Sequence, residues 1–119
     1  MSIAVSDAVS RILGSALDGI SLRQRVTADN IANVDTPDFR ARAVDFESSL
    51  RSAVSNGGVG SRGLDINVAA TQTPVGENGN NVDLRKETMA AMQSTFQYQM
   101  VTRSVGDRFN AMKIATGAF

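Results

Sequence analysis

The sequence predicts a mainly α-helical fold: two long terminal helices packed as an antiparallel, coiled-coil-like pair, joined by a short, glycine-rich middle of loop and β character. Three observations predict it. Apolar residues recur at steps of three and four near both ends of the 119-residue chain, the spacing of an amphipathic helix. The stretch between them, 52–82, holds six of the ten glycines and one of the two prolines, a composition of turns and linkers. Residues suited to starting and stopping a helix bracket the second periodic segment.

In the N-terminal segment, 1–33, the periodic residues are Val5, Val9, Ile12, Leu13, Ala16, Leu17 and Ile20. They resume after Arg23-Gln24-Arg25 at Ala28 and Ile31. Gly14 and Gly19 inside this pattern each cost up to about 1 kcal/mol relative to alanine, so the helix needs packing to hold it. Small residues also let another helix come close. In 34–51 a turn is followed by Arg40 and Arg42 alternating with Ala41 and Ala43, as in an extended segment with one charged side. A one-turn helix follows, capped by Asp45, with Phe46, Leu50 and Val54 packing inward. Segment 52–82 reads as flexible linker, interrupted by the alternation of a short strand at Leu64–Val68.

The last segment, 83–119, carries Met89, Met92, Phe96 and Met100, then steps by one to Val101 and continues at Val105, Phe109 and Met112. Asp83 suits an N-cap with Glu87 close behind. Lys113 complements the C-terminal end of the dipole, and Gly117 is a natural stop. Each helix would span roughly 40 Å. One such pair cannot bury every apolar stripe, so the surplus points to neighbouring subunits. The same stripes would also serve as the core of a small helical monomer.

Composition narrows the function. Twelve basic residues balance twelve acidic ones, without the basic excess of nucleic-acid or anionic-membrane binders, so the partner is expected to be protein. With no His and no Cys, the chain has no imidazole base, thiolate nucleophile or N/S metal site. Its carboxylates are scattered without catalytic or metal-binding spacing. Gly57-Gly58-Val59-Gly60 lacks the ending and the βαβ setting of a phosphate loop. The expectation is a non-enzyme with no catalytic, cofactor-binding or metal residues and no small-molecule substrate. The N-terminus has neither a basic region nor an unbroken apolar run, so no cleaved secretory signal is expected, nor any membrane span.

The most specific local signal is Asp29–Arg42. Asn30 and Asn33 can bond local backbone where the helix ends. Thr36 is pushed to extended geometry by Pro37, which fixes φ at the turn, and Phe39 anchors the exit. Residues alone describe a well-capped loop. The run Asn30-Ile31-Ala32-Asn33-Val34-Asp35-Thr36-Pro37, followed by Phe39-Arg40-Ala41-Arg42, also closely resembles the signature of the flagellar basal-body rod proteins. A second match, Gly79-Asn80-Asn81-Val82-Asp83-Leu84 with Glu87 and then Phe96-Gln97-Tyr98-Gln99-Met100, resembles the C-terminal region of the proximal-rod members rather than their sibling rod subunits. Where the family has glycine after Thr-Pro, this chain has Asp38, which tolerates left-handed geometry better than most residues.

The resemblance implies a structural subunit polymerising into a hollow drive shaft that transmits torque and passes exported proteins. It implies that Val5, Val9, Ile12, Ala16 and Ile20 face Met92, Phe96, Val105, Phe109 and Met112. The signature residues Asn30, Ile31, Asn33, Asp35, Thr36, Pro37, Phe39, Arg40 and Arg42 would form a subunit contact, the arginines meeting acidic or carbonyl partners; a solvated face is the alternative. Implied partners are further copies, neighbouring rod subunits, the rod-junction protein, the membrane-supramembrane ring and the type III export gate, in a periplasmic rod. Phe46-Glu47-Ser48-Ser49-Leu50 has the form of an export-gate motif, with Phe46 and Leu50 as its apolar ends. The rival readings are a sibling rod subunit and, from another class, a small helical ligand-binding or regulatory module.

Overall fold

The computed structural model describes residues 3–60 and 63–117, with side chains from Asp7 onward. In chain order the elements are α1 (Ile3–Ala32), β1 (Arg42–Asp45), α2 (Glu47–Ser55), β2 (Asn67–Ala70) and α3 (Leu84–Thr116). Helices of 30 and 33 residues run roughly 45 and 50 Å at 1.5 Å per residue. Laid side by side they give a narrow molecule, 62 × 31 × 16 Å. The pair is antiparallel: Arg23 reaches Gln97 in its middle, and Leu13 and Leu17 lie beside Val105 and Phe109 nearer the chain ends.

The caps read from the sequence are present. The Asp83 carboxylate accepts from the Lys86 amide at 3.2 Å. Gly117 takes the left-handed conformation at φ 73° and its N–H closes the last turn onto Lys113 and Ile114, the glycine ending that frees carbonyls of a bonding deficit. Asp45 caps the first turn of α2, accepting from the Ser48 amide at 3.1 Å and the Ser48 hydroxyl at 2.8 Å. Of the three residues expected to pack inward from α2, Phe46 is buried and Leu50 half-buried, but Val54 is exposed, because the helix meets the core only at its first turn.

The middle of the chain differs from a linker. β1 and β2 pair antiparallel, from Arg42 opposite Ala70 to Asp45 opposite Asn67. The alternation read at Leu64–Val68 is real, since Leu64, Ile66 and Val68 are all half-buried on one side. Ladder pairing, however, begins only at Asn67. The hydrophobic cluster is Ile20, Val26, Val44 and Phe46, with Leu22, Ile66, Val68 and Val101 around it. It is therefore built by α1 and the small sheet, with a single contribution from α3.

The helix seam corrects the expected pairing. Along α3 the buried or half-buried residues include Glu87, Ala90, Ser94, Gln97, Val101 and Val105, at steps of three and four, with half-buried Ala91 and Arg108 flanking this line. Met92 and Phe96, expected to face α1, are 69% and 62% exposed. The reason is steric and polar: small Ala90 and Ser94 bring the backbones together, and Gln97 meets Arg23. On α1, Ala16 and Ile20 are buried and Val9 and Ile12 half-buried; Val5 lies outside the described side chains. Val105 does face α1, whereas Phe109 and Met112 are mostly exposed at the rim of a groove.

Gly19 shows how tightly the centre is closed. A Cβ there would run into the Phe46 ring, so only glycine lets the ring lie against α1. Gly19→Ala is expected to lower the unfolding free energy by about 1–3 kcal/mol in urea titrations. Gly14→Ala, where an added Cβ meets nothing within 4 Å, should be neutral or stabilise by up to about 1 kcal/mol. Equal losses at both positions would contradict this packing.

Candidate functional site

The two sequence motifs meet. α1 ends at the signature, where the Asn33 side chain donates to the Asp29 carbonyl at 2.8 Å and accepts from the Thr36 hydroxyl at 3.0 Å. The chain then turns through Asp38, whose φ is 63°, the left-handed geometry that its residue type tolerates. The Asp38 amide donates to the Asn78 carbonyl at 2.9 Å, and Gly79, itself at φ 80°, is so close that a Cβ would strike Asp38.

Three buried asparagines fasten this junction. Fully buried Asn30 pairs both ways with the Arg42 backbone, donating at 2.7 Å and accepting at 3.1 Å. Asn80 donates to the carbonyls of Asn33 and Thr36, each at 2.8 Å, and accepts from the Val82 amide at 2.7 Å. Asn81 accepts from the Ala41 amide at 2.6 Å and donates to Thr71 and Thr73. An amide side chain mimics a peptide, so each asparagine supplies irregular backbone with the partners that a helix or sheet would otherwise give.

Of the signature residues, Asn30 is buried and Ile31, Asn33 and Phe39 are half-buried within this junction. Asp35, Thr36, Pro37, Arg40 and Arg42 are exposed on its surface. Arg42 pairs with Asp29 of its own chain at 3.4 Å, between side chains about half exposed, so the pair contributes little.

A second node, which the sequence reading passes over as a polar break, is Arg23. Its guanidinium makes a bidentate pair with Glu47, both contacts at 2.7 Å. It also donates to the Val44 carbonyl at 2.7 Å and to Gln97 at 3.3 Å, and lies 4.6 Å from the Phe46 ring centroid. One side chain thus joins α1, β1, α2 and α3. The available signal was spacing: Ala16, Ile20, Arg23, Thr27 and Asn30 follow at steps of four and three on the buried side of α1. The hydrogen bonds from Arg23 hold the Glu47 carboxyl below the ordinary glutamate range. Those from the Ser48 side chain and amide do the same for Asp45.

The face of α3 turned away from α1 carries Met89, Met92, Phe96 and Met100, exposed by 66%, 69%, 62% and 50%. Contiguous apolar residues at this exposure mark a surface made to be covered. At the other end of the pair, Leu13, Leu17, Val105, Phe109 and Met112 line an open groove of about 290 Å³. Among the described residues no helix is long and apolar enough to cross a membrane, and no cluster of acidic, His or Cys side chains could hold a metal ion.

Comparison with known proteins agrees with this geometry. A family model described as "Flagella basal body rod protein" matches residues 11–40, the greater part of α1 with the signature turn. The flagellar basal body rod protein FlgB of Bacillus subtilis (strain 168) is 35% identical over 117 residues, covering 88% of this chain and 91% of the relative. FlgB of Borreliella burgdorferi is 31% identical over 118 residues, covering 82% and 87%. FlgB of Escherichia coli (strain K12) is 30% identical over 125 residues, covering 89% and 91%.

Asn80→Ala leaves two carbonyls and an amide without their partner and should cost about 2–3 kcal/mol, while exposed Asp35→Ala stays within about 0.5 kcal/mol; urea unfolding of both chains measures the contrast. Because Glu47 titrates lower when folded than its ordinary 4.5, its contribution is complete above that value and is lost as pH falls through the depressed one. Glu47→Gln should therefore flatten the acid limb of stability below about pH 4.5. Near pH 7 it should cost about 1 kcal/mol or less, solvent screening included; an unchanged acid limb would contradict the Arg23 pairing.

Proposed function

The chain belongs to the flagellar basal body rod proteins and is a structural subunit of the proximal rod, and we propose that it joins its neighbours through the outward face of α3. The observation that carries this is the stripe Met89, Met92, Phe96 and Met100, left uncovered although the helix that bears it is packed on its other side. Burying such side chains is worth roughly 1.5–3 kcal/mol each, enough to drive association when several contacts act together.

Charge favours a contact with a different surface over a self-paired one. Arg85 and Arg103 are both exposed and lie about five helical turns apart, one at each end of the stripe. Two stripes laid together, parallel or antiparallel, would set arginine against arginine. A stripe that meets some other surface makes a heterologous, non-closing contact, the kind that builds open helical assemblies. Further copies, sibling rod subunits, the rod-junction protein and the membrane-supramembrane ring are the neighbours that such a subunit would meet. In this role it would transmit torque and line the passage for exported proteins in the periplasm.

Export would precede folding. Phe46 is buried against Gly19 and Leu50 is half-buried, so recognition of this motif at the export gate would act on the unfolded chain. The exposed tip formed by Asp35, Pro37 and Arg40 is a further candidate contact. The groove beside Leu13 and Leu17 is the feature that a ligand-binding module would use, but it is open and family membership favours a structural, non-catalytic role.

Met92→Asp and Phe96→Asp should leave the circular dichroism spectrum and urea midpoint essentially unchanged, since both side chains lie outside the core. In cells carrying either variant as the sole copy, swimming in soft agar should be abolished and the chain missing from purified basal bodies. Folded variants that swim normally would overturn this assignment of the surface.

A further inference from the structure

The distribution of methionine in this chain carries an inference beyond assembly itself. Of its five methionines, one is Met1 and the other four, Met89, Met92, Met100 and Met112, all lie on α3, with half or more of each side chain exposed. None of these four belongs to the hydrophobic cluster, which is built from Ile, Val, Leu and Phe. Three of them, with Phe96 among them, make up the outward stripe. The assembly face is thus built largely from the one apolar side chain that mild two-electron oxidants convert to a polar one.

We propose that Met89, Met92 and Met100 are an oxidation site that switches this surface off in the unassembled subunit; the inference rests on the reading of α3 as the assembly face. A peroxide supplies one oxygen atom to each thioether. The sulfur lone pair attacks the outer oxygen, the O–O bond breaks as the S–O bond forms, sulfur is oxidised to the sulfoxide, and the peroxide is reduced to water. The sulfoxide oxygen is a strong hydrogen-bond acceptor, and covering it without a donor costs free energy that the apolar thioether did not. Because the stripe points away from α1 and the core, its oxidation leaves the subunit fold in place. Methionine sulfoxide reductases reverse the change.

The test treats the purified chain with hydrogen peroxide, locates sulfoxide by peptide mass spectrometry, checks the helix signal by circular dichroism, and measures binding to purified neighbouring rod subunits. Expected are sulfoxide at Met89, Met92 and Met100, unchanged helicity, binding weakened at least tenfold, and recovery after sulfoxide reductase treatment. A chain carrying Met89→Leu, Met92→Leu and Met100→Leu keeps the apolar stripe and should bind equally before and after peroxide. Undiminished binding of the oxidised, folded chain would overturn the proposal, as would an equal loss in the leucine variant. The assembly-face reading fails separately, if unoxidised chain carrying Met92→Asp still binds.

Discussion

A single guanidinium sets the arrangement of the subunit. Arg23 sits in the middle of the seam between the two long helices, its side chain only 18% exposed, where a charge must be paired and fully bonded to be tolerated. Glu47, the Val44 carbonyl and Gln97 supply that bonding, and the Phe46 ring lies beneath it. With this position occupied by a charge, α3 presents Gln97 to it, and small Ala90 and Ser94 on the neighbouring turns. The apolar side of the upper half of α3 is consequently turned outward. The buried polar seam and the exposed apolar stripe are two sides of the same constraint.

The asparagine junction serves the same end from the other direction. The segment after β2 returns to the start of α3 without regular secondary structure, and its backbone needs partners. Asn80 and Asn81 provide them against the signature turn, so that the start of α3 is fixed relative to the end of α1. Asp83 then caps the helix within three residues of this anchor. The register of the seam, and with it the direction of the stripe, follows from where α3 begins. At Val101 and Val105 the apolar residues move to the inner side, and the step of one from Met100 to Val101 marks that change of face.

That step was legible in the sequence, as were both long helices, the Asp83 and Gly117 caps and the turn geometry of Asp38. Local chemistry decides each of these within a few residues. Periodicity could not say which stripe of α3 meets α1, because a stripe records that a face will be covered, not by what; Met92 and Phe96 were matched to the wrong neighbour on that account. Arg23 was missed, and Asn80 and Asn81 were read only as part of a motif and not as buried anchors, for a related reason. These side chains act through partners as far as 74 positions away in sequence, and only the spacing of Arg23 on the buried side of α1 hinted at burial. The alternation at 64–68 pointed to the correct side of the chain but not to the register of the strand.

If α3 carries the assembly surface, its outward face is open in the folded subunit and closed in the rod. The chain has no cysteine, so a Phe96→Cys variant carries a single thiol at the middle of the stripe and can be labelled with a maleimide, first as purified chain and then within isolated basal bodies. Rapid labelling of the free subunit at the rate of an unhindered thiol, and strong protection of the same position after assembly, are the expected results. Slow labelling of the free, folded chain would mean that the stripe is covered within the subunit, and equal labelling in both states would mean that the rod does not use it.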